Sequence, residues 1–200
     1  MRNAVREPQQ ERSIEKKNKI IEASYALFSE NGYYSTGTSD IAKRAGVSTG
    51  IVYGYFKDKR DILLYVLKIY IDKVTAPLTE YMSNIATPVN FKKVLPELLD
   101  LVTKTHKENA HLHNTLHALA ASDKDVASEF IALEDRITEH ISGCLAELGL
   151  NGAHLSEKVH IAMNLMQSFS HEAIFDRHKY IDYEAMRQEV LEMLVGLFSE

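Results

Sequence analysis

The chain has 200 residues, 45% hydrophobic and 26% charged, with nine Gly, four Pro and one Cys. That is the composition of a soluble helical protein, and it excludes an internal disulfide and a CxxC zinc site. No run reaches the roughly 18 apolar residues of a membrane span. The polar start MRNAVREPQQERS lacks the apolar core of a signal peptide, so the expected setting is cytoplasmic. The net charge of −5 is unevenly spread. Residues 1–60 hold eleven Lys and Arg against seven Asp and Glu, and the remaining residues hold twelve against twenty-one. A basic head on an acidic body points a DNA-facing surface at the N-terminal part.

In chain order, residues 1–15 read as a disordered polar arm. Lys16–Asn31 has helical periodicity, with Ile20, Ala23 and Leu27 beside Ile21, Ser24 and Phe28, and Asn31-Gly32 supplies its stop. Gly37 or Thr38 can cap a short helix over Ser39–Ala45. Gly46-Val47-Ser48 is a tight turn, and Ser48 can cap Thr49–Phe56. Asp58 caps a long helix from Lys59 to about Thr75, which Pro77 should kink or end. Asn90 caps a helix to about Lys107 with a bend at Pro96. Further helices are expected at 110–120, 123–148 (capped by Ser122), 156–175 and 183–198. No strand pattern or internal repeat stands out.

Two short helices joined by a Gly-containing turn form a helix-turn-helix pattern. Ile41, Ala42 and Ala45 face inward from the first, Val47 plugs the turn, and Val52 and Phe56 form the buried face of the second. Left outside are Thr49 and Gly50, at the end that such proteins point into the major groove. Tyr53 and Tyr55, about 200° apart, lie on opposite flanks, where phosphates would be. Lys59 can add a charged phosphate contact.

The ordered set Gly32-Tyr33, Thr36, Ile41-Ala42, Ala45-Gly46-Val47-Ser48, Gly50, Tyr53, Tyr55-Phe56, Lys59 and Ile62 resembles the DNA-binding domain of the TetR/AcrR family of repressors. The resemblance covers about residues 16–65. It implies an all-α fold: a three-helix head over 16–58, and a helical body over 59–200 for effector binding and dimerisation. It adds Thr38, Ser39, Ser48 and Ile51 to Thr49, Gly50, Tyr53, Tyr55 and Lys59 as DNA-binding residues. Three departures stand out. Gly37 replaces a usual Ser or Thr, Thr38 replaces an aliphatic, and Gly54 removes a flanking side chain. The implied partners are a double-stranded DNA operator of inverted-repeat form, a small-molecule effector and a second copy of the chain, with no membrane and no cofactor. The implied dimer seam uses Ile161, Leu165, Ser168 and Phe169 with Val190, Leu191, Leu194 and Leu197. The alternative is that these stripes complete the monomer's own core.

Helix placement assigns Tyr70, Leu98, Val102, His106, His113, His117, Phe130 and Glu134 to the effector pocket. Tyr65, Tyr70 and Tyr81 can equally be core. His106, His113 and His117 can line that pocket, share a metal or be ordinary core and surface groups, although no metal is expected. His171 and His178 read as interface or surface groups, and Cys144 as a small buried residue. No nucleophile elbow, HExxH or phosphate-binding glycine loop is present, so no catalytic residue is assigned. Two competing readings make different predictions. A helical enzyme built on the 106–117 histidines predicts metal and turnover, and a DNA-binding protein whose body recruits a protein predicts no enclosed apolar cavity.

Overall fold

The computed structural model describes residues 6–199. In order come α1 (Arg6–Asn31), α2 (Thr38–Ala45), α3 (Thr49–Tyr55), α4 (Lys59–Ser83), α5 (Phe91–Glu108), α6 (Ala110–Ala120), α7 (Lys124–Glu147), α8 (Leu155–Phe175) and α9 (Tyr183–Phe198). No strand occurs among the described residues.

Three local expectations change. Residues 6–15, read as part of a disordered arm, are the first turns of α1; residues 1–5 of that arm lie outside the described residues. Elongating a helix already nucleated by the buried Ile20–Phe28 stretch is cheap, and Glu, Gln, Arg and Lys are good helix formers. Pro8 falls in the first turn, where its missing N–H has no intrahelical partner to lose. Second, α4 runs through Pro77 to Ser83. A proline removes one hydrogen bond and crowds the carbonyl four residues back, a local cost, and α4 goes on to bury Met82 among apolar neighbours. Third, Asp123 and not Ser122 caps α7. Its carboxylate accepts from the Asp125 and Val126 amides at 3.1 and 3.3 Å, while the Ser122 hydroxyl donates back to the Leu119 carbonyl.

Packing divides the chain into two units. The first takes the residues up to Ile71 together with Ala110–Val126, and the second takes Asp72–Asn109 with Ala127 onward. In the first unit α1, α2, α3, the start of α4 and α6 share a core. Ile20 and Phe28, Ile41, Val52 and Phe56, Ile62 and Leu67, and Leu112 and Leu116 are all essentially buried. Each such side chain contributes about 1.5–3 kcal/mol. α6 and the first residues of α7 thus belong to the packing of the head.

In the second unit α5, α8 and α9 pack together. Leu95 and Leu99 meet Val159, Met166 and Phe169 of α8 and Val190, Leu191 and Leu194 of α9. Phe169, Val190, Leu191 and Leu194, assigned above to a dimer seam, therefore lie inside this unit's own core. Ile161 and Ser168 are exposed, and Leu165 and Leu197 are half-buried. The exposed stripe of α9 carries Met193 in addition.

Candidate nucleic-acid interface

α1 ends where Gly32 turns to φ +83°, a conformation that L side chains rarely adopt. α2 begins at Gly37, whose N–H donates to the Asp40 carboxylate at 2.9 Å. With no side chain at the cap position, Asp40 reaching back is half of a capping box. Gly46, at φ +68°, closes α2, and the Val47 N–H returns to the Ala42 carbonyl at 3.0 Å. The Ser48 hydroxyl accepts from the Ile51 amide and starts α3. Ile41, Ala42, Val52 and Phe56 hold the two helices against α1 and α4.

Outward from α3 stand Thr49, Gly50, Tyr53 and Gly54 in an i, i+1, i+4, i+5 stripe, all exposed. A Cβ added at Gly54 meets nothing, and one added at Gly50 meets only the Ser48 hydroxyl at 3.9 Å. This face therefore leaves backbone open to close approach. Tyr53 is 54% exposed, yet its hydroxyl lies 3.1 Å from the Thr38 hydroxyl at the start of α2. Ser39 and Ser48 are exposed beside it, and Ile51 is half-buried.

Two of the expected contacts point elsewhere. The Tyr55 hydroxyl turns to Ser13 of α1 at 3.0 Å. Lys59 Nζ donates to the carbonyls of Tyr33 and Thr36 at 2.8 and 3.0 Å and sits 4.2 Å over the Tyr33 ring. Burial pulls the Lys59 pKa down. Lys59 thus ties α4 to the loop before α2. Arg44 is likewise occupied, paired with Glu30 through its two terminal guanidinium nitrogens. Lys43 and Lys57 are exposed around the same surface, and sequence reasoning missed both. Their sole local signal is charge beside the two short helices.

Residues 20–66 match the family described as bacterial regulatory proteins, tetR family. The segment from α1 into α4 is a TetR-family DNA-binding domain.

The HTH-type transcriptional regulator HbdR of Aromatoleum is 43% identical over 75 residues, which are 38% of this chain and 33% of that protein. The chain thus spans about a third of that relative. The fatty acid metabolism regulator protein of Bacillus subtilis is 28% identical over 190 residues, covering 88% of this chain and 92% of that one. Among solved structures, a TetR-family regulator of Mesorhizobium loti superposes with a TM-score of 0.75 at 20% identity, covering 93% of this chain and 96% of that one. FadR of Bacillus subtilis, solved in complex with stearoyl-CoA, gives a TM-score of 0.61 at 23% identity, covering 91% and 99%.

The residues assigned to an effector divide between the packing units. In the first, the Tyr70 hydroxyl and His113 Nδ1 are 2.6 Å apart in the buried interior, and the His113 and His117 rings are 4.2 Å apart. Burial pushes the Tyr70 hydroxyl pKa well up. In the second, Leu98 and Val102 join the apolar cluster, and His106 Nδ1 lies 2.8 Å from the Val102 carbonyl. Burial lowers the His106 pKa. Phe130 is buried and Glu134 half-buried. No group of three metal-ligating side chains occurs among the described residues, and no helix there is long and apolar enough to cross a membrane. An open depression of about 550 Å³ beside α5, α8 and α9 is lined by Asp100, Thr103, Phe169, Arg177, Tyr183 and Arg187 among others, and by none of the expected effector residues.

Proposed function

We propose that this chain is a sequence-specific repressor that binds an inverted-repeat operator as a homodimer and leaves it when a small molecule binds its body. The observation that carries this reading is the stripe Thr49, Gly50, Tyr53 and Gly54. It is a solvent-facing helix face with open backbone, backed by a buried core, and its own tyrosine is held from α2. A major-groove reader needs such a face. Residues 16–58 do the DNA binding, in the cytoplasm where the DNA is, and residues 59–200 supply effector binding and dimerisation, with the start of α4, α6 and the first residues of α7 also completing the core of the head. The dimer seam draws on the exposed side of α8 and α9, with Ile161, Leu165, Ser168, Met193 and Leu197. Similarity to a fatty acid metabolism regulator over nearly the whole chain makes long-chain acyl compounds and their CoA thioesters the first effector class to try.

The experiment is selection of binding sites from random duplex DNA with the full chain, followed by titration of acyl-CoA into the complex. Recovery of an inverted repeat that acyl-CoA releases supports the reading. A folded protein that enriches no sequence at moderate salt overturns it, and a complex untouched by acyl-CoA removes that effector class alone.

A further inference from the structure

α1 passes directly beside the end of the helix that faces DNA. Ser13 Oγ is 3.0 Å from the Tyr55 hydroxyl, and one turn later Lys17 Nζ donates to the Tyr65 hydroxyl at 3.0 Å, lying 4.1 Å from that ring's centre. Ser13, Lys17 and Ile20 therefore mark the inward face of these turns. At about 100° per residue, Arg12, Lys16 and Lys19 fall on one flank, roughly 60–120° from Ser13, while Glu11, Glu15 and Glu22 fall on the back, roughly 160–200° away. Arg12 and Lys16 are exposed, and Lys19 is paired with Glu15 at 2.7 Å. Arg12 and Lys16 thus stand together on one flank, and Lys19 meets Glu15 where that flank borders the acidic back.

We propose that the Arg12–Lys16 flank of α1 is an additional DNA-binding surface, which holds phosphates of the duplex next to the half-site faced by α3. The proposal rests on the reading of α3 as the DNA-facing helix. Two arguments favour duplex DNA as the occupant. The flank borders the Ser13 edge of α1, where the Ser13 hydroxyl meets Tyr55, the last residue of α3. Its charge is complementary to phosphate, on a stretch, residues 1–19, that carries six Lys and Arg against three Glu. α3 itself offers few side chains, since Gly50 and Gly54 occupy half its exposed stripe, and Lys59 and Arg44 are committed within the protein. Affinity then depends on cations beside the helix, and phosphate contacts of this kind are read in the salt dependence.

The test uses the full chain and the duplex recovered by selection. Affinity is measured against salt for wild type, for Arg12→Ala/Lys16→Ala, and for Lys92→Ala/Lys93→Ala, which removes the same charge from exposed positions on α5. Loss of two phosphate contacts should flatten the log–log slope by about 1.8 per chain and weaken binding roughly tenfold at moderate salt. The α5 control should keep the wild-type slope, and Arg12→Lys/Lys16→Arg should restore it. A wild-type slope in the α1 variant, with an unchanged melting temperature, overturns this proposal and leaves the α3 reading standing. An equal flattening in the α5 control also overturns it, because bulk charge then suffices. Wild-type protein that binds no duplex overturns the DNA-binding reading itself, and this proposal with it.

Discussion

The Tyr53 hydroxyl lies 3.1 Å from the Thr38 hydroxyl, joining the exposed face of α3 to the first residue of α2. The bond spans 15 residues and fixes the tyrosine ring at a surface where a free side chain would rotate. Thr38→Val and Tyr53→Phe should each leave the melting temperature within about 2 °C, since exposed substitutions change stability by under about 0.5 kcal/mol. Each should weaken operator binding several-fold. If Thr38 acts by holding Tyr53, the double variant should bind no worse than Tyr53→Phe alone. A double-mutant cycle of binding constants checks this, and additive losses would count against the coupling.

Gly50 has room for a methyl group in the free protein, with only the Ser48 hydroxyl at 3.9 Å. Gly50→Ala should therefore fold at least as stably as wild type, because alanine is favoured over glycine in a helix by roughly 1 kcal/mol. If backbone approaches the duplex there, the same methyl should reduce operator affinity by tenfold or more. Thermal melts and binding curves on one sample separate the two effects. Undiminished binding would mean that α3 stands further from the bases.

Lys59 should behave as a structural residue. Lys59→Met removes the donor from two loop carbonyls and should destabilise the fold by about 1–3 kcal/mol. Its effect on the salt slope of DNA binding should be smaller than that of Lys57→Ala, whose side chain is exposed. A denaturant titration and a salt series test the two halves. A stable Lys59→Met protein with a flattened slope would return Lys59 to the phosphate-contact role.

Arg60 makes three bonds to Asp123 and Asp125, at 2.6 to 2.7 Å. Its guanidinium holds the Asp123 carboxyl down at about 2. A carboxyl lowered in the fold from the ordinary value of about 3.9 stabilises above that value, and the contribution is lost as pH falls from about 4 toward 2. Asp123→Asn should therefore be less stable than wild type at pH 6, with the difference shrinking below pH 4. Melting temperatures across that range check the sign. A constant gap would assign the effect to the lost cap of α7 alone.

Much of the layout was legible because its signals are local. Gly32, Gly46 and Ser48 each announce a turn within a few residues of itself, and the expected ends of α2, α3, α5, α6, α8 and α9 fall within a residue or two of those observed. What was not legible depends on partners far along the chain. Nothing near Tyr55 tells that its hydroxyl meets Ser13, 42 residues earlier, and nothing near Lys59 tells that it reaches the Tyr33 carbonyl. On α9 the apolar residues occupy more than one face. Periodicity could not choose between Val190, Leu191 and Leu194, which are buried, and Met193, which is 53% exposed.

Leu112 and Leu116 of α6 and Val126 of α7 are fully buried in the same core as Ile20 and Phe28. On the ribosome, the helices of the helix-turn-helix emerge long before these partners do. The head can close its core only after residue 126 has been made, so α1 to α3 must wait half-covered through the synthesis of α4 and α5. A gene cut after residue 71 would release a segment whose apolar face has nothing to cover it, and such a fragment should be an aggregate or a proteolysis substrate before it is a DNA reader.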